Sequence, residues 1–288
     1  MCKIQIVYIC TANYKLCAED FFSSLHHFFP EEEKIVTVLT DDVKYISDMF
    51  ENIKDAFSNN KIYSLDINKI TDLPYPLINL SKFYFVKDYI NEDADFVFYF
   101  DADTKFCEKE PNFWKNLFNV INSNKILVSP HLTYLASFFP EIYMESQRPN
   151  RIYDMEIFKN SFDEREGSPL YDKLHISDRS YIWVITSFIA SNKELMKNFC
   201  DLVNRKTQEY MIGEVKEGVT TYYIPRLFDE TIINKLIHES FCGRLAGFDF
   251  IVKPYSSLVN FKIPDYTFII QKNFKNPREY KKHVLWES

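Results

Sequence analysis

The chain is short of glycine: five stand among its 288 residues, against an ordinary share of roughly 7%. No G-x-G-x-x-G and no G-x-x-x-x-G-K-[ST] can be built from them, so the backbone nests that hold nicotinamide dinucleotides or P-loop nucleotides are absent. There is no G-x-S-x-G and no H-E-x-x-H, which removes the nucleophile elbow and the zinc-protease helix. The six cysteines (2, 10, 17, 107, 200 and 242) form no C-x-x-C, and the six histidines keep no zinc spacing. They read as free thiols in a reducing compartment. No run approaches the roughly 18 apolar residues of a membrane span. The opening Lys3–Ile9 lacks the flanks of a signal peptide. An excess of basic residues is missing too: 34 Lys and Arg face 41 Asp and Glu, net −7, which argues against a non-specific nucleic-acid binder.

What is present is a core. Hydrophobic residues make up 46% and charged residues 26%, and 27 Phe with 19 Tyr supply much of the apolar volume. Ile4–Cys10 reads as a buried strand and Tyr14–Phe29 as a helix stopped by Pro30. Lys34–Leu39 reads as a strand, Val43–Ser58 as a helix and Lys61–Leu65 as a strand. This is the rhythm of a parallel sheet covered by helices. A helix over Leu80–Ile90 precedes Asp95–Phe100, an apolar run suited to a central strand buried on both faces. A helix over Asn112–Asn122 and a strand over Lys125–Ser129 follow. The irregular stretch 138–173 is expected to run over the functional edge of the sheet. Tyr181–Ala190 reads as a strand, Asn192–Met211 as a helix with an Asn cap, and Thr221–Ile224 as a short strand. Asp229–Glu239 reads as a helix capped by Phe228 or Asp229, and Asp249–Pro254 as a late strand. No repeat or linker divides the chain. The expectation is one α/β domain, 1–260, with a basic extension, 261–288, carrying Lys272, Lys275, Arg278, Lys281 and Lys282.

The chemistry concentrates at two acid pairs. Asp101-Ala102-Asp103 ends the 95–100 strand, where open α/β sheets bind ligands. Two carboxylates there suit Mg2+ or Mn2+ held between protein and a substrate diphosphate, neutralising a phosphate leaving group. The plainer reading is a strand-ending turn. Asp229-Glu230 opens a helix, where acids are also favoured by the helix dipole alone. With no glycine nest, a nucleotide-sugar enzyme that uses a metal is the leading diphosphate chemistry.

Taken in order, these segments resemble family 6 glycosyltransferases, the group of the blood-group A and B transferases and the α-1,3-galactosyltransferases. The likeness is to a bacterial-type or viral-type member that keeps the D-x-D, and it runs from about Ile4 to Tyr255. Ile9-Cys10-Thr11-Ala12-Asn13-Tyr14 resembles the first strand and the uracil loop. Phe98-Tyr99-Phe100-Asp101-Ala102-Asp103 resembles the acidic motif. Met144-Glu145-Ser146-Gln147-Arg148-Pro149 with Tyr153 resembles the Glu-Arg-Arg-Pro stretch. Phe228-Asp229-Glu230-Thr231-Ile232-Ile233-Asn234-Lys235 resembles the His-Asp-Glu-Ser-His-Leu-Asn-Lys segment. The resemblance implies a GT-A fold with a single Rossmann-like, mostly parallel sheet, and α-retaining transfer of galactose, N-acetylgalactosamine or a related sugar from UDP to a glycan hydroxyl. It implies Glu230 as the catalytic residue. The donor would be bound by Ile9, Cys10, Thr11, Tyr14 (stacked on the base), Lys82, Asp101, Thr186 and Asp229, and Mn2+ or Mg2+ by Asp101 and Asp103. It implies a glycan acceptor, such as a galactose-terminated surface oligosaccharide, and no nucleic-acid partner.

The departures matter as much. The family's Gly-Gly-Phe-Phe-Gly-Gly appears as Ile185-Thr186-Ser187-Phe188-Ile189-Ala190, so the donor-sugar pocket is expected to be reshaped. The positions that separate galactose from N-acetylgalactosamine fall near Val184 and Thr186. The acceptor-contacting His of the family falls at Ala136, with His131 nearby. Animal members carry a Golgi anchor and stem upstream, and this sequence has neither. The expectation is a cytoplasmic enzyme, free or at the inner face of the membrane. The competing readings are another nucleotide-diphosphate-sugar enzyme, or a sugar- or nucleotide-binding protein without catalysis.

Overall fold

The computed structural model describes residues 3–28, 34–53, 57, 59–66, 78–106, 124–130, 166–176, 184–210, 213–223, 225, 228–241, 245–247, 253–254 and 269–271. The expected helix over Asn112–Asn122, most of the 138–173 excursion and the basic tail beyond Gln271 lie outside them.

Strand β1 (Ile4–Cys10) is buried at every position. After a 3-10 turn (Ala12–Cys17), α1 (Ala18–Phe28) leads to β2 (Lys34–Thr40), α2 (Val43–Asn52) and β3 (Asn60–Ser64). The first α-helix begins four residues later than its apolar pattern alone predicts, because Tyr14–Cys17 belong to the 3-10 turn. α3 (Ile78–Asp88) precedes β4 (Phe96–Asp101) and the short β5 (Thr104–Phe106). β6 (Ile126–Pro130), α4 (Tyr171–Leu174), β7 (Val184–Asn192) and α5 (Lys193–Tyr210) follow. Asn192 caps α5, its Oδ1 accepting from the Leu195 N–H at 2.9 Å. A hairpin of β8 (Gly213–Lys216) and β9 (Val219–Tyr222) turns through Glu217 and Gly218, both at positive φ, which is the turn that matches strand twist. Only its second strand is foreshadowed in the sequence. α6 (Asp229–Leu236) continues into a π turn (Ile237–Phe241). Short strands β10 (Leu245–Gly247), β11 (Lys253–Pro254) and β12 (Ile269–Gln271) complete the described chain.

The main sheet runs β10-β6-β7-β4-β1-β2-β3. β4, β1, β2 and β3 are parallel to one another, and β10 is parallel to β6. β7 runs antiparallel to both β4 and β6, so its first residues lie at the same edge as the last residues of β1 and β4. The chain goes from β1 outward to β2 and β3 and then returns to the other side of β1 as β4. The crevice between the carboxyl ends of β1 and β4 is thus a topological switch point, the place where such sheets bind ligands.

Alternation along the strands divides the core between the two faces of the sheet. Ile4, Ile6, Tyr8 and Cys10 of β1 and Phe98 and Phe100 of β4 pack with Phe21, Phe22, Ile46 and Phe50 from α1 and α2. Val7, Ile9, Val97 and Tyr99 pack on the other face with Phe83, Phe199, Val203, Ile233 and Leu236 from α3, α5 and α6. Phe21 centres the first cluster, stacked on Tyr8 at 4.5 Å and edge-on to Phe22 at 5.0 Å. The one side chain of β1 that is polar, Gln5, is buried with its needs met. Its amide nitrogen donates to the Thr37 hydroxyl (2.8 Å) and the Tyr89 carbonyl (2.7 Å), and its oxygen accepts from the Asn91 N–H at 2.8 Å.

Cys10, Cys17 and Cys200 are buried free thiols, as expected for three of the six. Burial pushes the Cys10 thiol up to about 12 and raises that of Cys200 as well. Neither should alkylate with iodoacetamide at pH 8 in the native protein, and both should do so once it is unfolded in guanidinium. Peptide mapping by mass spectrometry checks this. Native modification of Cys10 would mean that β1 is open to solvent.

Candidate functional site

Five side chains from four elements meet at the carboxyl edge of β4. Lys82, on α3, is buried. Its ammonium lies 3.2 Å from Asp101 Oδ1 and 2.7 Å from Asp229 Oδ2, joining the end of β4 to the start of α6. The Thr186 hydroxyl, from β7, donates to the same Asp229 oxygen over 3.1 Å. The Tyr99 hydroxyl donates to Asp101 Oδ1, and the Lys82 ammonium lies 5.2 Å from the Tyr99 ring centre. Tyr99 and Asp101 share a face of β4 because they are two residues apart.

The charges decide one another. Burial works against the Lys82 ammonium, but Asp101 and Asp229 more than offset it and hold its pKa well above the ordinary lysine value. Burial raises the Asp229 carboxyl, with Lys82 and Thr186 pulling the other way. Burial and the neighbouring Asp101 keep the Tyr99 phenol protonated. Two carboxylates therefore share one ammonium at the sheet edge.

The D-x-D main chain is also held. The Tyr8 hydroxyl donates to the Ala102 carbonyl at 2.7 Å, and the Thr104 hydroxyl to the Asp101 carbonyl at 2.7 Å. Asp101 is partly open and Asp103 is buried at 6% exposure. Ile9 pairs directly with Asp101 across β1 and β4. The turn that follows β1 is built by acids from the end of β2. The Ala12 N–H, at φ 51°, donates to both carboxylate oxygens of Asp41, at 3.1 and 2.9 Å. Asp42 caps α2 at Tyr45 N–H (3.0 Å) and pairs with the Lys15 ammonium. The Tyr14 phenol at this turn is half-buried, and its pKa is raised by burial and then by Asp103, Cys17 and Asp101.

Asp229 is no helix cap. Phe228 holds the N-cap position of α6 with φ 49° and no side-chain cap bond, and the Asp229 carboxylate is turned to Lys82 and Thr186. Of the two residues expected to cap this helix, Phe228 stands at the N-cap and Asp229 does not. A buried ammonium and a buried hydroxyl compete for the carboxylate more strongly than the N–H groups of the helix's first turn do.

No protein-family profile matches the chain, and no curated protein does. Among solved structures, the chain is similar to a galactosyltransferase, LgtC, determined in complex with donor and acceptor sugar analogues. The match has 14% identity and a TM-score of 0.56, over 94% of this chain and 87% of that one. The fold is GT-A. In this fold, Ile9, Cys10, Thr11 and Tyr14 lie at and after the end of β1, and Asp101, Lys82, Asp229 and Thr186 are linked in that order at the adjoining edge. The Cys10 thiol faces the core, so only its main chain can meet a ligand there. Glu230 follows Asp229 in the first turn of α6, half-buried. Val184 packs in the core, leaving Thr186 as the polar member of that pair. The Met144–Pro149 segment, Tyr153, Ala136 and His131 lie outside the described residues. Neither Tyr99 nor the loop-building Asp41 is among the site residues expected from the sequence. The usable signal for Tyr99 was a phenol two residues before an acid on one strand.

A divalent ion is part of the expected chemistry. Among the described residues no three His, Cys, Asp or Glu side chains gather into a metal site. Asp101 and Asp103 still fit such an ion, because Mg2+ and Mn2+ sites of this kind take one or two carboxylates and complete their shell with water and substrate phosphate. No helix among the described residues is long and apolar enough to cross a membrane.

Proposed function

We propose that the protein is a retaining, metal-dependent glycosyltransferase. It would move galactose, N-acetylgalactosamine or a related sugar from a UDP-sugar to a glycan hydroxyl with an α linkage. The observation that carries this reading is the Lys82–Asp101–Asp229–Thr186 cluster at the switch-point edge of a GT-A sheet. The turn after β1, braced by Asp41, receives the base on Tyr14. Asp101 and Asp103 hold the ion, which when bound neutralises charge on the departing diphosphate. The Asp229 carboxylate, held at Oδ2 by Lys82 and Thr186, binds the donor-sugar hydroxyls. Glu230 faces the anomeric carbon.

Residues 1–260 form the catalytic unit in this proposal, and 261–288 a basic lid. What supports the lid is the pairing of β12 with β5. Gln271 stands opposite Thr104, the residue after Asp103, and the sequence continues directly into Lys272. Basic side chains there suit a diphosphate. The acceptor is a glycan, such as a galactose-terminated oligosaccharide of a cell surface, and the enzyme works in the cytoplasm, free or against the inner membrane face.

Calorimetry of UDP with Mn2+ and with chelator tests the metal part. Affinity should fall at least about 10-fold on chelation, and the Asp101→Asn, Asp103→Asn double variant should behave as the chelated parent does. Equal affinity under both conditions would remove the ion from donor binding.

A further inference from the structure

Asn234 lies on α6, five residues after Asp229, and is fully buried. Its carboxamide makes a two-point pair with the main chain of Val184: Oδ1 accepts from the Val184 N–H at 2.8 Å, and Nδ2 donates to the Val184 carbonyl at 2.9 Å. Nδ2 also donates to the Glu230 carbonyl at 2.9 Å. The side chain thus acts as a strand edge would. Val184 opens β7 opposite Pro130, which has no N–H, and the ladder from β7 to β4 ends at Phe188. The buried peptide groups of Val184 find their partner in Asn234.

What this pairing borders is the irregular part of β7. Ile185 is in register with Ser129 and Ile189 with Val128, so Thr186, Ser187 and Phe188 bulge between two adjacent partners on β6. Thr186, inside the bulge, holds Asp229. One helix turn is therefore fastened to the bulged strand twice, through Asn234 at Val184 and through Asp229 at Thr186, with Glu230 tied to the first fastening by its own carbonyl. Lys235 adds a third anchor on the outer side, donating to the His175 carbonyl at 2.6 Å.

We infer that Asn234 is a positioning residue of the site. By clamping α6 to the first residue of β7, it sets where Asp229 and Glu230 stand against the bulge that carries Thr186. The inference rests on the donor-sugar reading given above. A buried carboxamide that served packing alone would affect stability without affecting how the sugar is held.

The variants that separate these outcomes are Asn234→Ala, the milder Asn234→Ser, and Leu236→Ala as a control that damages the core from the same helix. Calorimetry with Mn2+ compares UDP with UDP-galactose and UDP-N-acetylgalactosamine, and hydrogen exchange follows peptides covering 184–190. In the Asn234 variants UDP affinity should stay within about 2-fold, while the extra affinity contributed by the sugar should drop about 10-fold. Exchange at 184–190 should rise. Leu236→Ala should lower Tm at least as far and leave the ratio of UDP-sugar to UDP affinity unchanged. An unchanged ratio in the Asn234 variants, or an equal change in Leu236→Ala, overturns the inference. A parent protein that gains nothing from the sugar contradicts the donor-sugar reading instead. In that event the exchange result decides the clamp alone: a rise confined to the Asn234 variants supports it, and unchanged exchange overturns it.

Discussion

A Glu230→Gln protein should fold, bind UDP as the parent does, and turn over at least about 10²-fold more slowly, a loss of several kcal/mol of transition-state stabilisation. Retention at the anomeric carbon requires the acceptor to arrive on the face that UDP leaves. Either a carboxylate forms a covalent glycosyl-enzyme, or the acceptor attacks on the leaving-group side of an oxocarbenium-like ion pair. Both routes need a carboxylate facing C1, and a neutral amide of the same shape supplies neither a nucleophile nor the opposing charge. If Glu230 were only an acid favoured by the helix dipole, its replacement would cost about 0.3–1 kcal/mol of stability and leave turnover alone. Measuring kcat and UDP affinity together separates the two, since near-normal kcat would remove Glu230 from the mechanism.

Lys82→Met should have the largest effect on the folded state. The ammonium is enclosed, with 7% of its side chain exposed, and it is the cation that Asp101 and Asp229 share. Removing one partner of a buried ion pair typically costs about 3–5 kcal/mol, because the remaining charge is left uncompensated. Here two carboxylates would be left facing each other. Denaturant melts should show that loss, and turnover should disappear with it. A second substitution divides stability from function: Lys82→Met combined with Asp229→Asn removes one of the stranded charges and should recover much of the stability without recovering turnover. Recovery of both would show that Lys82 and Asp229 serve the fold alone. Little loss of stability in Lys82→Met would mean that water reaches the cluster.

How far the sequence foreshadows this arrangement depends on the kind of signal. β1, β2 and β4 are readable because each is a mostly apolar, β-branched or aromatic run ending in polar residues, and that pattern belongs to strands buried on both faces. The acid pair at Asp101 and Asp103 follows from where β4 ends. The antiparallel sense of β7 is invisible in its own residues, since nothing in Val184–Asn192 marks the direction in which the strand runs. The bulge at Thr186–Phe188 is equally hidden, because it arises from the register with β6. The same holds for Asp229, which in isolation reads as a helix-opening acid. Its contacts with Lys82 and Thr186 span well over a hundred and more than forty residues of chain, and local propensity carries no trace of them. Asn234 and Lys235 are legible as a register within a resemblance. Their physical reason, a clamp on Val184 and another on the His175 carbonyl, needed coordinates.

The central claim is retaining transfer from a UDP-sugar, and product analysis by proton NMR tests it most directly. The protein is incubated with UDP-galactose or UDP-N-acetylgalactosamine, Mn2+ and a galactose-terminated oligosaccharide, and the new anomeric signal is read alongside released UDP. The account predicts UDP in step with a product whose new linkage shows the small anomeric coupling of an α-glycoside. A β-linked product, or no UDP from either donor while UDP itself binds, would contradict it.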